Sequence, residues 1–378
     1  MNRLNISIWR LYRPDAVVAF DNPLIRNRLS WYYVVMNDQA PAKFHIAARL
    51  EVNEDYRSMS TEELWRLHDK VGEEFDKAWG EQRVKPRSSI IKSSLPKSSF
   101  LDVKIELVSR IIRNCNLCER RCGIDRTKGK GACMLDRRSR VASYFIHIGE
   151  EAPLVPSGTI FFTGCNLRCV YCQNWDISQR PENGIEVDEA DLASMQIELR
   201  ASEARNINWV GGEPTPNLHV IIPSLRILAE KGINVPQLWN SNLYLTPEGM
   251  RLIIHLMDIW LPDFKYGNDQ CALRYSVAPR YVEVVSRNLK MICDRDEDII
   301  IRHLVLPGHV ECCTRPVLRW IAHNCPRAIV NVMDQYHPDY LVPRLSRYRE
   351  LNRRVTEEEM RRAYEYAREL GILTSSPF

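Results

Sequence analysis

Short apolar runs alternate with amphipathic stretches along the chain from residue 158 onwards. Most of these runs are apolar throughout, which is typical of parallel strands buried on both faces. The predicted strands are Gly158–Gly164, Asn206–Gly211, Val235–Ser241, Asp258–Phe264, Ile299–Pro307 and Ile329–Asp334. Six strand–helix units predict an α/β fold, a partial parallel (β/α)6 barrel of the TIM type. A doubly wound open sheet has the same alternation, so the alternation alone does not choose between the two.

Helix-start signals lie between the predicted strands. Asp188 is a preferred N-cap residue, and Thr246 precedes a proline at the first helical position. Thr314 is predicted to cap another helix, and Thr356 with Glu359 forms the pattern of a capping box.

The first part of the chain is patterned differently. Residues 1–100 are interpreted as an N-terminal extension and linker of unknown role, in which only Thr61–Trp79 has the apolar spacing of a helix. Residues 85–99 are rich in serine, proline and lysine and predict a linker. Residues 101–157 are interpreted as a cysteine-rich metal- or cluster-binding segment, and residues 158–378 as the barrel.

Composition narrows the class of protein. The chain has 378 residues, 45% hydrophobic and 26% charged, which is ordinary for a globular protein. A net charge of +4 is too small to predict a nucleic acid or membrane partner. No apolar run approaches the roughly eighteen residues of a membrane span, and the first residues lack the apolar centre of a signal peptide. We therefore expect a cytoplasmic protein whose clustered cysteines bind metal rather than form disulfides.

Three cysteines stand close together directly after the first predicted strand. Cys165, Cys169 and Cys172 have the spacing C-x3-C-x2-C, with Tyr171 before the last. Three thiolates on one short loop can hold three irons of a 4Fe–4S cubane and leave the fourth iron without a protein ligand. Clusters used only for electron transfer normally have four cysteine ligands. The missing ligand therefore predicts a position for a small molecule.

The other distinctive polar residues also follow predicted strands. In a parallel barrel the carboxyl ends of the strands form one rim, where the chemistry of such folds is found. The cysteines and these residues are therefore expected to line one site. The residues are Gly211, Gly212, Glu213, Asn242, Asp263, Lys265, Arg302 and His303.

A second group of cysteines precedes the barrel. Cys115, Cys118, Cys122 and Cys133 have the spacing C-x2-C-x3-C-x10-C, and arginines and lysines lie between them. Four thiolates suit either a second 4Fe–4S cluster or a structural zinc ion. The remaining Cys271, Cys293, Cys312, Cys313 and Cys325 are interpreted as ordinary apolar positions.

From about residue 115 to residue 338 the sequence resembles the radical S-adenosylmethionine (SAM) proteins related to pyruvate formate-lyase activating enzyme. It is most similar to an uncharacterised activase-like branch of that group. The resemblance is carried by His147–Leu154, Thr159–Asn174, Trp209–Thr215, Arg302–Gly308 and Met333–Tyr336. That branch also has a cysteine-rich knuckle before the barrel, whereas the first 100 residues match no pattern of the group.

The resemblance implies an enzyme with a 4Fe–4S cluster and SAM as cofactors. Reduction of the cluster splits SAM into methionine and a 5′-deoxyadenosyl radical, which abstracts hydrogen from a substrate. Glu213 is then expected to accept the ammonium group of SAM, and Lys265 or Arg302 to neutralise its carboxylate. Asn242 and His303 are expected to bind the ribose, while Gly211 and Gly212 allow close approach of the backbone.

Three functions stay open on the sequence alone. The first is radical chemistry on a protein or peptide, as in activation of a glycyl-radical enzyme, with a ferredoxin or flavodoxin as electron donor. The second is the same chemistry on a small molecule or in cofactor maturation. The third is a non-catalytic iron–sulfur or zinc module, which would have no use for the polar rim.

Overall fold

The structure of the chain, a computed structural model, describes residues 8–374; residues 1–7 of the predicted extension and 375–378 of the predicted barrel lie outside them. Nine strands form the core of these described residues. They are β1 Ser139–His147, β2 Ser157–Phe162, β3 Ile185–Val187, β4 Asn206–Gly211, β5 Gln237–Ser241, β6 Ile259–Pro262, β7 Ile300–Leu304, β8 Ile329–Met333 and β9 Leu373–Thr374. The predicted α/β fold is confirmed, and each predicted strand overlaps an observed one.

The strands form two sheets that meet edge to edge. The first has the order β3-β1-β2-β4-β5-β6 and the second β7-β8-β9. Parallel bridges between Trp260 and Ile299, and between Asp263 and Arg302, continue the first sheet into the second. Strands β2, β4, β5 and β6 run parallel, as do β7, β8 and β9. Only β1 is antiparallel to both of its neighbours, β2 and β3.

Fifteen α-helices lie within the described residues. Those before the sheet are α1 Ile8–Tyr12, α2 Pro14–Val18, α3 Pro23–Arg28, α4 Ser30–Met36, α5 Lys43–Ala47, α6 Thr61–Val84 and α7 Phe100–Ile111. Those after β2 are α8 Trp175–Ser178, α9 Glu189–Ala201, α10 Leu218–Glu230, α11 Pro247–Ile253, α12 Asp269–Ser276, α13 Tyr281–Cys293, α14 Arg315–Asn324 and α15 Glu357–Glu369. No helix within residues 8–374 is long and apolar enough to cross a membrane.

Most of the predicted helix caps are present. The side chains of Asp188, Thr246 and Thr356 accept hydrogen bonds from the first turns of α9, α11 and α15. The prediction that the Thr314 side chain caps a helix is wrong. A π-helical turn, Val310–Thr314, leads into α14, and the Thr314 hydroxyl lies 2.9 Å from His303 Nε2 instead of capping the helix.

The N-terminal helices pack under the amino ends of the barrel strands. In α4, Trp31 Nε1 donates to Asp258 at 2.9 Å, and the backbone N–H of Tyr32 donates to Asp298 at 2.7 Å. These two carboxyl groups directly precede β6 and β7. Tyr32 and Phe20 are buried against Leu238, Ile259, Leu261 and Ile300 of β5, β6 and β7. Because these side chains fill the end of the sheet, α4 forms a floor beneath it.

The interpretation of the remaining cysteines as ordinary apolar positions is wrong for Cys293 and Cys325. Cys293, at the end of α13, forms a disulfide with Cys325, directly after α14, with their Cα atoms 5.4 Å apart. Cys271, Cys312 and Cys313 bring their sulfur atoms together at one place. Both groups join helices that follow different strands, so the sequence separation conceals their proximity.

Candidate functional site

The loop that carries the first cysteine group is fixed by its backbone. The N–H of Arg168 donates to Ser276 O at 3.0 Å, and that of Val170 donates to Tyr275 O at 2.8 Å. Both acceptors lie at the end of α12. Gly164 begins the loop with a φ of +76°, a conformation that favours glycine, and a Cβ there would lie 2.7 Å from the Leu135 side chain. These contacts hold the backbone of the loop against α12 and Leu135.

Each of the three sulfur atoms on this loop has a hydrogen-bonding neighbour. The N–H of Leu167 donates to Cys165 Sγ at 3.3 Å, and the Ser276 hydroxyl donates to Cys169 Sγ at 3.0 Å. The Ser178 hydroxyl lies 3.2 Å from Cys172 Sγ. Such contacts stabilise thiolates, although burial alone raises the pKa of all three thiols. A bound iron cluster would supply the positive charge that these buried thiolates need.

The cysteines open into a cavity of about 240 Å³ at the carboxyl ends of the strands. Seven of the eight predicted cofactor-binding residues line it: Gly211, Gly212, Glu213, Asn242, Asp263, Lys265 and Arg302. The cavity is also lined by Asn240, Ser241, Leu304, Met333 and Gln335. The structure therefore brings together residues that follow β2, β4, β5, β6, β7 and β8.

Glu213 is the most enclosed acidic group of this cavity. Its carboxylate accepts hydrogen bonds from Thr215 Oγ1 at 2.5 Å, from Ser241 Oγ at 2.6 Å and from the N–H of Asn242 at 3.0 Å. Burial raises the pKa of Glu213, and these donors oppose the rise. The side chain thus ties the end of β4 to the end of β5 as well as facing the cavity.

Gly211 and Gly212 have a packing role that the sequence did not reveal. A Cβ on Gly211, whose φ is +116°, would lie 2.2 Å from Phe162 O. A Cβ on Gly212 would lie 2.1 Å from Gly164 O. Only glycine fits against the end of β2 and the cysteine loop at these positions, so these two residues set the distance between the loop and Glu213.

The basic groups of the cavity are both paired with Asp263. Lys265 Nζ lies 2.7 Å from one carboxylate oxygen, and Arg302 Nε donates to the other at 2.9 Å. Burial acts to raise the pKa of Asp263, but Arg302 and Lys265 outweigh it and the pKa is lowered. Arg302 also donates to Asn240 Oδ1. Arg302 also lies 3.8 Å from a carboxylate oxygen of Glu150 in the neighbouring wall. Lys265 and Arg302 are the basic side chains that line the cavity, and both are held by carboxylates.

His303 does not reach the cavity, contrary to its predicted role on the ribose. Its side chain is buried, with Nδ1 2.7 Å from Phe264 O and Nε2 2.9 Å from Thr314 Oγ1. Side chains alternate across a strand, so Arg302 and His303, which are neighbours in β7, point to opposite faces. Asn242 does line the cavity, but its amide donates to Asn166 Oδ1 at 2.8 Å and thereby supports the cysteine loop.

A second cavity of about 280 Å³ adjoins the first and shares Arg302, Met333 and Gln335 with it. Glu150 and Glu151 are buried in its wall. Asn208 donates to Glu150 at 2.8 Å, and Asn331 donates to Glu151 at 2.8 Å. The sequence placed these two acids only in the segment His147–Leu154 that carries the resemblance, and it indicated no role for them.

The second cysteine group forms a knuckle, residues 115–133, that packs on the cysteine loop of the barrel. Cys115, Cys118, Cys122 and Cys133 line one small cavity, and all but Cys122 are buried. Arg120 Nε donates to Asn166 O at 2.7 Å, and Arg168 donates to Ala132 O. The two groups of cysteines are thus connected by direct contacts between their loops.

The sequence of the barrel matches a family model. The model of the radical SAM superfamily matches residues 159–321, which include the cysteine loop, Glu213 and Arg302. The chain belongs to the radical SAM superfamily. The chemistry of this superfamily requires a 4Fe–4S cluster and SAM, and the three hydrogen-bonded thiols beside a polar cavity fit both.

Relatives of this radical SAM protein cover different parts of it. An uncharacterised protein of Methanocaldococcus jannaschii is 40% identical over 351 residues, which is 91% of this chain and 98% of that protein. A protein of the same organism, provisionally named a glycyl-radical enzyme activating enzyme, is 33% identical over 85 residues, 22% of this chain and 33% of that protein. A domain of pyruvate-formate lyase-activating enzyme from Bacteroides vulgatus is 17% identical, with a TM-score of 0.34, over 45% of this chain and 96% of that domain.

Proposed function

We propose that this radical SAM enzyme reductively cleaves SAM and uses the resulting radical to abstract hydrogen from a protein or peptide. The observation that carries the first half of the proposal is the 240 Å³ cavity, in which three thiols, Glu213 and the Lys265–Asp263–Arg302 cluster face one another. When bound by Cys165, Cys169 and Cys172, the 4Fe–4S cluster supplies one electron that splits SAM into methionine and a 5′-deoxyadenosyl radical.

The chain's own residues bind and orient SAM in this proposal. Glu213 accepts the ammonium group, because it is a buried carboxylate of the cavity lining, whereas Asp263 is already paired with Lys265 and Arg302. The cationic side chains of Lys265 and Arg302 bind the methionine carboxylate. Holding both ends of the amino acid fixes its position beside the open iron, and the buried walls limit the access of water.

The second half of the proposal concerns the substrate. The name of the shorter Methanocaldococcus jannaschii relative indicates action on a glycyl-radical enzyme, and its matching segment covers 22% of this chain. The charged and amide side chains of the two adjoining cavities provide polar groups for a peptide backbone, whose N–H and C=O groups need partners. A small-molecule substrate is the alternative.

The cleavage step is tested with reconstituted full-length protein, dithionite and SAM. We expect 5′-deoxyadenosine from the wild type and none from Cys169→Ala, because the variant lacks one of three iron ligands. The Cys293→Ser/Cys325→Ser variant is the control, since neither residue lines the cavity. Equal product from Cys169→Ala and the wild type would show that the chemistry lies elsewhere.

The substrate class is tested by adding fractions of an extract from the source organism to the reduced enzyme. A protein or peptide substrate raises deoxyadenosine formation above the rate with SAM alone, and protease treatment of the fraction abolishes the rise. Stimulation by the dialysable fraction alone would instead establish the small-molecule alternative.

A further inference from the structure

Three cysteines outside the cavity bring their sulfur atoms together. Cys271 lies in the first turn of α12, and Cys312 and Cys313 lie in the π-helical turn Val310–Thr314. Their Sγ atoms all lie within 4.8 Å of one another, and those of Cys312 and Cys313 are 3.9 Å apart. Among residues 8–374, no other set of three cysteine, histidine or acidic side chains gathers its ligand atoms this closely.

The spacing of these sulfur atoms fits a single metal ion. Zinc–thiolate bonds of about 2.3 Å in a tetrahedral arrangement place two sulfur atoms about 3.8 Å apart. A cubane spreads its cysteine ligands over different corners and therefore separates them further. The sulfur atoms of Cys165, Cys169 and Cys172, the proposed cubane ligands, are not all within 4.8 Å of one another. Those of Cys271, Cys312 and Cys313 are.

Asn268 holds together the two chain segments that carry the triad of Cys271, Cys312 and Cys313. The Asn268 side chain caps α12 by accepting from the N–H of Cys271 at 2.8 Å, and its amide donates to Cys312 O at 2.8 Å. The same amide lies 3.6 Å from Cys313 Sγ. The backbone of Gly267 also approaches this turn, since a Cβ there would lie 2.7 Å from Cys313 O. The positions of the thiols are thus fixed by contacts other than the metal.

The donor set determines which ion the triad suits. Three thiolates favour soft ions such as zinc and copper(I), and disfavour magnesium and calcium, which require oxygen ligands. Cys313 is buried and Cys271 is half-buried, whereas Cys312 is exposed. One side of the site therefore faces water.

We propose that Cys271, Cys312 and Cys313 bind one zinc ion, with water in the fourth position beside Cys312. The ion joins α12 to the turn before α14. The other end of α12 holds the cysteine loop of the radical SAM cavity through Tyr275 O and Ser276 O. Zinc in this triad thus stabilises the support on which the loop rests, and its presence does not depend on the proposed radical chemistry.

The test compares zinc and iron contents of full-length protein purified anaerobically from zinc-supplemented cells. Cys271→Ser/Cys312→Ser is expected to lose about one zinc ion per chain and to keep its iron. The matched control is Cys293→Ser/Cys325→Ser, which removes two cysteines from neighbouring helices and is expected to keep its zinc. Zinc lost equally from both variants, or zinc unchanged in both, would overturn the proposal.

Two further measurements cover the case in which the double variant fails to fold. The single variant Cys312→Ser changes only an exposed ligand, and a chelator is expected to remove its zinc faster than that of the wild type. X-ray absorption of wild-type protein is expected to show zinc–sulfur distances of about 2.3 Å.

Other outcomes would assign the metal differently. Copper in place of zinc, or a disulfide among the three cysteines under anaerobic conditions, would overturn the zinc site. Loss of the zinc in Cys118→Ser/Cys122→Ser, with retention in Cys271→Ser/Cys312→Ser, would move it to the knuckle.

Discussion

Charged side chains in the cavity are held by partners on neighbouring strands. Asp263 follows β6 and pairs with Arg302 of β7, while Glu213 follows β4 and accepts from Ser241 at the end of β5. A buried charge is costly to isolate, so removing one partner is expected to destabilise the fold, and each of these groups also faces the cavity. Variants at these positions are therefore expected to affect both stability and SAM binding.

Replacing Asp263 by Asn leaves Arg302 and Lys265 without their shared anion. We expect a loss of about 3 kcal/mol in the free energy of unfolding at neutral pH, measured by denaturant titration. The folded-state pKa of Asp263 is lowered, so its stabilising effect is complete above the ordinary value of 3.8 and is lost as the pH falls through the folded-state value. The stability difference between wild type and variant should therefore shrink on acidification. A difference that grows at low pH would contradict this assignment.

Replacing Glu213 by Gln puts an NH2 donor in place of one of the two carboxylate oxygens that accept from Ser241, Thr215 and the N–H of Asn242. We expect weaker SAM binding by the cluster-loaded protein in equilibrium dialysis, with about 1–3 kcal/mol of lost stability. Glu198→Gln is a matched control, because Glu198 accepts only a surface bond of 3.0 Å from Tyr144. Unchanged SAM affinity in Glu213→Gln would remove Glu213 from the binding site.

At the residue scale, the sequence predicts which residues belong to the site better than it predicts which way their side chains point. The cysteine loop and the glycines before Glu213 could be recognised because close spacing in sequence implies closeness in space. The roles of Arg302 and His303 could not be distinguished, since they are adjacent and only the register of β7 shows which one faces the cavity.

At the scale of elements, the knuckle and α12 support the cysteine loop from two sides. The knuckle contacts the loop through Arg120 and Arg168, and α12 does so through Tyr275 and Ser276.

The parallel strands and the capped helices of the barrel were predictable from short apolar runs and from Asp188, Thr246 and Thr356. The strand β1 was not predicted, because it is half-exposed and follows the cysteine-rich segment without a turn signal.

The knuckle is expected to hold a second 4Fe–4S cluster rather than zinc. Its four cysteines line one cavity, but no three of their sulfur atoms lie as close together as those of Cys271, Cys312 and Cys313. Metal analysis should give about eight irons per chain, falling to about four in Cys118→Ser/Cys122→Ser. Four irons in the wild type, together with zinc that this variant loses, would show that the knuckle holds zinc.

At the scale of the whole molecule, the N-terminal extension is packed into the structure. The side chains of Trp31, Phe44, Phe75 and Phe100 belong to the same buried cluster as Trp239 and Trp260 of the barrel. The helix α6 was predictable from its apolar stripe. Its docking was not, because the contacts of α4 with Asp258 and Asp298 join residues more than two hundred positions apart.

Trp31→Ala is expected to lower the free energy of unfolding by about 3–5 kcal/mol, through loss of buried area and of the bond to Asp258. Tyr12→Ala is the control and should change it little, because Tyr12 is 71% exposed. Both are measured by thermal unfolding of full-length protein.

Because the N-terminal helices share a buried cluster with the barrel, removal of residues 1–100 should yield no soluble barrel. A truncated protein that folds and still cleaves SAM would contradict this prediction.

The floor formed by α4 has a kinetic consequence. In the proposed function SAM binds beside Cys165 and Glu213, in the cavity at the carboxyl ends of the strands. Because α4 covers the amino ends, we expect SAM and substrate to enter through the same mouth. A polypeptide seated across that mouth would block the exchange of SAM, methionine and deoxyadenosine. The enzyme is therefore expected to follow a compulsory order, in which SAM enters first and the large partner leaves before the small products.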